Sequence, residues 1–183
     1  MTVLLSQPTV AKPKPRVSQA DSAGFTLIEM MVTVTIMAIL AGIAIPSYRH
    51  YVLKNHQEKV KSIMLSQAIA LERWRTKQLN FAGFTPESIA LDDDNITFRY
   101  PSDTTPTEYT MQLVTINGSN AAVALSSNSI ATNWVIFATP RTGSGMPYIA
   151  LTSQGTRCQS IDATITPVTV FSTNGCGTGS TAW

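Results

Sequence analysis

Residues 30–48 contain no charged side chain, and a single acid, Glu29, stands at their edge. As an α-helix, a run of this length extends about 28 Å at 1.5 Å per residue, against a hydrocarbon core of roughly 30 Å. Such a segment has two outlets: a bilayer, or the interior of a soluble protein. Its length and its apolar character on every face favour the bilayer. Glu29 sharpens the constraint, because an ionised carboxylate at the lip of a membrane-length helix is costly to desolvate and calls for a partner. Within the run, Thr33 and Thr35 can bond back to the helix backbone, and Gly42 and Pro46 interrupt the aliphatic series. Pro46 removes one backbone donor, which predicts a loosened or bent helix there.

Charged residues are 13% of the 183-residue chain, against about 25% in ordinary soluble domains, and the apolar run accounts for most of the deficit. The remaining charge is unevenly placed. Residues 1–24 carry Lys12, Lys14, Arg16 and Asp21, a net of +2. Residues 49–77 hold seven basic side chains against Glu58 and Glu72, a net of +5, and residues 78–183 hold three basic against seven acidic, a net of −4. A basic stem beside an acidic head suits packing against copies or relatives of itself; two independently solvated faces give the same pattern. The two cysteines, Cys158 and Cys176, match no metal spacing. In an exported protein they read as one disulfide closing an 18-residue loop, with two separate buried thiols as the alternative. No metal and no cofactor is expected.

Residues 1–24 are polar, Pro-rich and basic, and the apolar run follows them without a small-x-small cleavage site beyond it, so they are not a secretory signal peptide. If they are removed, the apolar segment remains as an N-terminal anchor, with the basic leader on the cytoplasmic side and the head outside. Beyond Pro46, Val52, Val60, Ile63, Met64, Leu71 and Trp74 recur at helical spacing, and no Gly or Pro breaks residues 47–82. The pattern predicts one helix over residues 25–79, apolar all round in its first half and carrying an apolar stripe for a globular head in its second. Residues 80–94 read as a loop. Strand patterns follow at 95–100, 109–116, 121–125, 134–138 and 148–151, with Asn117-Gly118 as a turn signal, residues 141–147 as a turn-rich connection and residues 172–183 as irregular. The fold class is α+β: a long N-terminal helix packed on an antiparallel sheet. The expected organisation is a leader over 1–24, an apolar helix over 25–52 and a globular head over 53–183.

Gly24-Phe25-Thr26-Leu27-Ile28-Glu29-Met30-Met31-Val32, the apolar run to Pro46, and then Ser47-Tyr48 closely resemble the class III signal and N-terminal helix of type IV pilins. The helix, connecting loop, sheet and late cysteine pair fit the same family. The head is similar to minor pilins of the PilE type, in Leu71-Glu72-Arg73-Trp74 and in Leu151-Thr152-Ser153-Gln154-Gly155. The resemblance implies a prepilin peptidase that cuts after Gly24 and methylates the new amine of Phe25. It implies that Glu29 pairs with the N-terminus of a neighbouring subunit, since a carboxylate and an ammonium in an apolar bundle attract strongly and either one alone is penalised. It makes residues 38–46, with Gly42 and Pro46, the stretch that loses helix on assembly, and the Cys158–Cys176 pair a staple of the C-terminal loop. The implied partners are other major and minor pilins, an inner-membrane assembly platform, and membrane lipid before assembly. The implied location is the inner membrane with the head in the periplasm, then the surface pilus, with roles in assembly or initiation, motility, adhesion or DNA uptake. The leader is longer than those usual beside a first mature Phe, and Ala38 stands where many pilins have Gly. A major pilin, a DNA-uptake pilin and a type II secretion pseudopilin are the competing subclasses.

Other functions fare less well on the residues. DNA binding needs a basic surface, and the acidic stretch from residue 78 offers only Arg99, Arg141 and Arg157. An enzyme is not expected: His50 and His56 are six apart rather than in a zincin spacing, and no nucleophile elbow, Cys-x-x-Cys or phosphate loop is present. Asp92-Asp93-Asp94-Asn95 reads as a solvated loop in preference to a calcium site, because consecutive acids cannot all face one ion.

Overall fold

A computed structural model describes residues 24–86, 92, 97–101, 106–125 and 130–183. The chain divides into two compact units, Met1–Ile45 and Pro46–Trp183. Helix α1 (Leu27–Gln78, 52 residues) contributes to both and is assigned as helix through Gly42 and Pro46 without a break. The Thr33 hydroxyl donates to the Met30 carbonyl at 3.0 Å and the Thr35 hydroxyl to that of Met31 at 2.7 Å, as polar side chains in an apolar helix must. The helix stops at Leu79, which takes a left-handed backbone (φ 63°) and donates its N–H to the Arg75 carbonyl.

In the second unit, Val60, Met64, Gln67 and Leu71 form the buried stripe of α1, spaced three and four apart as one helix face requires. The stripe lies against an antiparallel sheet of β1 (Thr97–Tyr100), β2 (Tyr109–Ile116), β3 (Ala122–Ala124), β4 (Val135–Pro140), β5 (Tyr148–Thr152), β6 (Arg157–Ser160) and β7 (Thr181–Ala182). The strand order is β1-β2-β4-β5-β6-β7. One edge of β2 takes β1 opposite residues 109–112 and then β3 opposite 114–116, while its other edge takes β4. The expected strands at 95–100, 109–116, 121–125, 134–138 and 148–151 correspond to β1 to β5; Asn95 and Ile96 lie outside the described residues.

Both faces of the sheet are covered, and the pleat sorts its residues between them. Tyr109, Met111, Leu113, Ile136, Ala138, Ile149 and Leu151 join Val60, Met64 and Leu71 of α1 in one core. Val114, Ile116, Val135, Phe137, Ala150 and Cys158 join Ile165, Val170 and Cys176 in a second. The second core is closed by α2 (Pro167–Thr173), within the segment bridged by the disulfide. Thr166 caps α2: its hydroxyl accepts from the Thr169 N–H, its own N–H donates to the Thr169 hydroxyl, and Pro167 takes the first helical position. The Tyr109 phenol donates to the Pro147 carbonyl at 2.9 Å, and burial pushes its pKa up, so the proton is kept.

Three readings change in detail. Residues 172–183 are not all irregular: they include the end of α2 and the short strand β7. Asn117-Gly118 opens a longer turn over residues 117–121, in which the Asn117 side chain accepts from the Ser119 and Ala121 N–H groups. Asp93, Asp94 and Asn95 lie outside the described residues, whereas Asp92 pairs with Arg99 at 3.0 Å.

Candidate functional site

Gly24 and Phe25 precede α1 in non-helical backbone, and Phe25 is exposed over 77% of its surface. Thr26 accepts from the Glu29 N–H at 3.3 Å, which places Thr26 as the N-cap and Glu29 at the third helical position. The segment therefore presents a non-helical Gly24–Phe25 peptide directly before a capped helix. The Glu29 carboxylate is exposed, with no ion pair among the described residues. Around it, Leu27, Ile28, Met30 and Met31 are each more than half exposed, as are Ile36, Ile39, Leu40, Ile43 and Ile45 further along. Water suits this carboxylate but not the aliphatic side chains around it, and lipid suits the side chains but not an unpaired carboxylate. The helix is long and apolar enough to cross a membrane.

Cys158 and Cys176 form a disulfide, with both residues buried. The C-terminus closes over the same strand: Trp183 donates its indole N–H to the Cys158 carbonyl at 3.1 Å, and the Lys61 ammonium lies 5.7 Å from the Trp183 ring. The loop is thus tied to α1 through β6, β7 and Trp183.

The seven basic residues of the 49–77 stretch all lie on α1. The second half of α1 belongs to the same compact unit as the sheet, and residues 46–183 together carry ten basic and nine acidic side chains, a net of +1. The acidic stretch from residue 78 onward is therefore one part of a nearly neutral unit. Arg73 and Arg157, from α1 and β6, come together in a groove of about 480 Å³ with Leu65, Ala68, Ile69, Glu72 and Thr76. Arg157 is exposed and has no ion-pair partner among the described residues, whereas Arg99 and Arg141 are paired with Asp92 and Glu108. Sequence reasoning missed this pairing of Arg73 with Arg157, because nothing local links residues 84 positions apart. His50 is exposed, and His56 packs edge-on against Tyr100 at 5.9 Å.

The N-terminal segment, residues 20–45, matches the family model described as prokaryotic N-terminal methylation motif. Residues 46–162 match the model described as type IV minor pilin ComP, DNA uptake sequence receptor. Among curated proteins, the chain is similar to the type IV major fimbrial protein FimA of Dichelobacter nodosus, 45% identical over 49 residues (27% of this chain, 31% of that one). It is also similar to the type IV major alpha-pilin of Moraxella bovis, 39% identical over 49 residues, and to fimbrial protein EcpC of Eikenella corrodens, 37% over 51 residues. The chain spans about a third of the length of these curated relatives. No solved structure matches it.

Proposed function

The chain belongs to the family of the type IV minor pilin ComP, DNA uptake sequence receptor, and from that premise we propose that it joins a type IV pilus as a minor subunit through its N-terminal segment. The observation that carries the reading is the Glu29 carboxylate, exposed and unpaired on an unburied apolar helix. Cutting between Gly24 and Phe25 creates an ammonium four residues from it, and the Phe25 amine of one subunit then meets Glu29 of the next as the helices stack. The pair sets the axial register and draws the subunit from the inner membrane into the fibre. In this reading a prepilin peptidase and an inner-membrane assembly platform act on the chain before assembly. The head lies in the periplasm until then and on the fibre surface afterwards. The test is Glu29→Ala in cells: the chain is counted in sheared pili and in the membrane fraction. Loss from the pili with retention in the membrane supports the reading, and undiminished incorporation overturns it.

A second reading concerns what the head does, and the family description favours it: the head takes hold of double-stranded DNA. The groove holding Arg73 and Arg157, with Lys77 exposed one turn on along α1, offers phosphate contacts that the acidic count from residue 78 hid. Three phosphate contacts give a slope of on the order of −3 in log affinity against log salt. Gel shifts with the detergent-solubilised full chain check this. Binding that weakens along that slope, and weakens further in Arg73→Gln/Arg157→Gln, supports it; binding that is absent at low salt excludes it.

A further inference from the structure

The cations next to the apolar span lie on an unusual side of it. With the leader inside, Arg49, Lys54, Lys59 and Lys61 all follow the span within sixteen residues, on the face where positive charge is normally sparse. They outnumber the leader's Lys12, Lys14 and Arg16, so the orientation follows from the proposed function and not from the charge count. Lys61 is accounted for by Glu58 at 3.0 Å and by the Trp183 ring. Arg49, Lys54 and Lys59 have no ion pair among the described residues, and all three are exposed.

Two of these three cations border grooves built against α1 by the turn between β4 and β5. The first groove, about 390 Å³, is lined by Tyr48, Arg49 and His56 of α1 and by Glu108, Arg141 and Ser144. The second holds His50 and Lys54 beside Gly145 and Met146. Leu53 lies in both and separates them. The turn fits over Leu53 because Gly143 and Gly145 adopt left-handed backbone, φ 78° and 70°, which a side chain resists. Glu108 adds an anion to the first groove, but Arg141 compensates it through Nε at 3.4 Å, which leaves Arg49 as the uncompensated charge there. Tyr48 and Tyr51, 70% and 69% exposed, are the residue type that settles at a membrane–water interface.

Distance along the helix selects among the cations. Arg49 follows the last residue of the span directly, and Lys54 lies about 9 Å further along the axis. The headgroup region is roughly 5–8 Å deep on each side, so Arg49 reaches it directly and Lys54 reaches it with its flexible stem. Lys59, about 17 Å on, does not. We propose that the grooves under the β4–β5 turn, with Arg49 and Lys54 at their mouths, hold the phosphodiester of an anionic phospholipid headgroup in the leaflet from which the head emerges. Before assembly the bound lipid offsets part of the charge of Arg49 and Lys54 and fixes the depth of the subunit; on extraction it is left behind, and the two cations become available to neighbouring subunits.

The proposal rests on the membrane-spanning reading of residues 30–48, and the experiment separates the two. The full mature chain is inserted into lipid discs containing phosphatidylglycerol and phosphatidylcholine, recovered in mild detergent, and its retained lipid is identified by native mass spectrometry. Retention of phosphatidylglycerol several-fold over its share is expected, falling roughly fivefold for each cation removed in Arg49→Gln and Lys54→Gln. Lys59→Gln, with the Cys158–Cys176 disulfide intact in every variant, should keep the preference. Equal retention of both lipids, an unchanged preference in the double variant, or an equal loss in Lys59→Gln overturns the site. Displacement of the lipid by equimolar inorganic phosphate also overturns it, by making the grooves a soluble-phosphate site. A chain that enters the discs without headgroup preference refutes the grooves alone, whereas a chain that fails to enter them refutes the span and the grooves together.

Discussion

Residues 27–45 and 46–78 belong to the same helix, yet their side chains meet opposite fates. In the first stretch Ile36 and Ile43 are 52% and 71% exposed, while in the second Val60, Met64 and Leu71 are fully buried. Helix propensity does not explain the difference, since both stretches are helical although the first is rich in β-branched residues. What separates them is whether the chain supplies its own cover. The second stretch has a sheet to lie on; the first leaves its apolar surface for lipid or for other subunits. A region that buries nothing among the described residues contributes little to head stability, and the reverse holds for its neighbour.

The largest effects should therefore split cleanly along the helix. On the proposed pairing, Glu29→Ala leaves the Phe25 ammonium of a neighbouring subunit buried without its partner, a loss of about 3–5 kcal/mol per contact. Incorporation into sheared pili should collapse, while the unfolding midpoint of the head stays put. Leu71→Ala should do the converse. Truncating a fully buried leucine costs about 2–5 kcal/mol, readable by denaturant unfolding followed through tryptophan fluorescence. Ile43→Ala, in the exposed stretch, should move that midpoint by less than about 0.5 kcal/mol. A head destabilised by Ile43→Ala would dissolve the comparison.

The next effect tests the head's second core. Cys176→Ser opens the loop that places Ile165 and Val170 over the outer face of the sheet. An 18-residue closure contributes about 3 kcal/mol. The oxidised native chain and the variant are compared in the same unfolding assay. Equal stability would mean that α2 holds its place without the bridge.

How far these features could be read from the residues follows the range of their signals. The 3.6-residue stripe over Val60, Met64 and Leu71 and the alternation in Tyr109, Met111 and Leu113 are local, and they place α1 and β2 to within a residue or two. The N-terminal site is local too: Gly24, Phe25 and Glu29 lie within six positions. The Asn133 side chain is the opposite case. Its Oδ1 accepts from the Ile116 N–H at 2.8 Å and its Nδ2 donates to the Ile116 carbonyl at 2.9 Å, tying the end of β2 to the approach to β4, and no pattern in either strand announces it. The second core was hidden because its lid, α2, is only seven residues long, too short for periodicity to show, although Thr166-Pro167 is a readable start signal. The stop of α1 falls within a residue of the expected 79, but the conformation that ends it carries no such signal: Leu79 takes the left-handed backbone that glycine or asparagine usually fills. Leu79→Gly should remove that strain and raise head stability by about 1 kcal/mol, in the same assay and with the opposite sign to Leu71→Ala.

The smallest effect probes whether even the exposed rim of the head satisfies itself. Asp162, on the turn after β6, accepts from the Thr164 N–H at 2.9 Å. That bond, together with the Thr164 side chain, holds its carboxyl below the ordinary value of 3.8. The folded state thus prefers the ionised form more strongly than the unfolded state does. The bond's contribution is complete above 3.8 and is lost as pH falls through the depressed folded value. Asp162 is exposed, so solvent screens most of the gain and the slope is shallow. Melting temperatures of the native chain and of Asp162→Asn, followed from neutral pH to below 3.8, should run parallel at first and then converge as the carboxyl takes up its proton. Curves that stay parallel to the lowest pH would show that the turn is held by Thr166 and the disulfide alone, and that the head's self-sufficiency stops short of its rim.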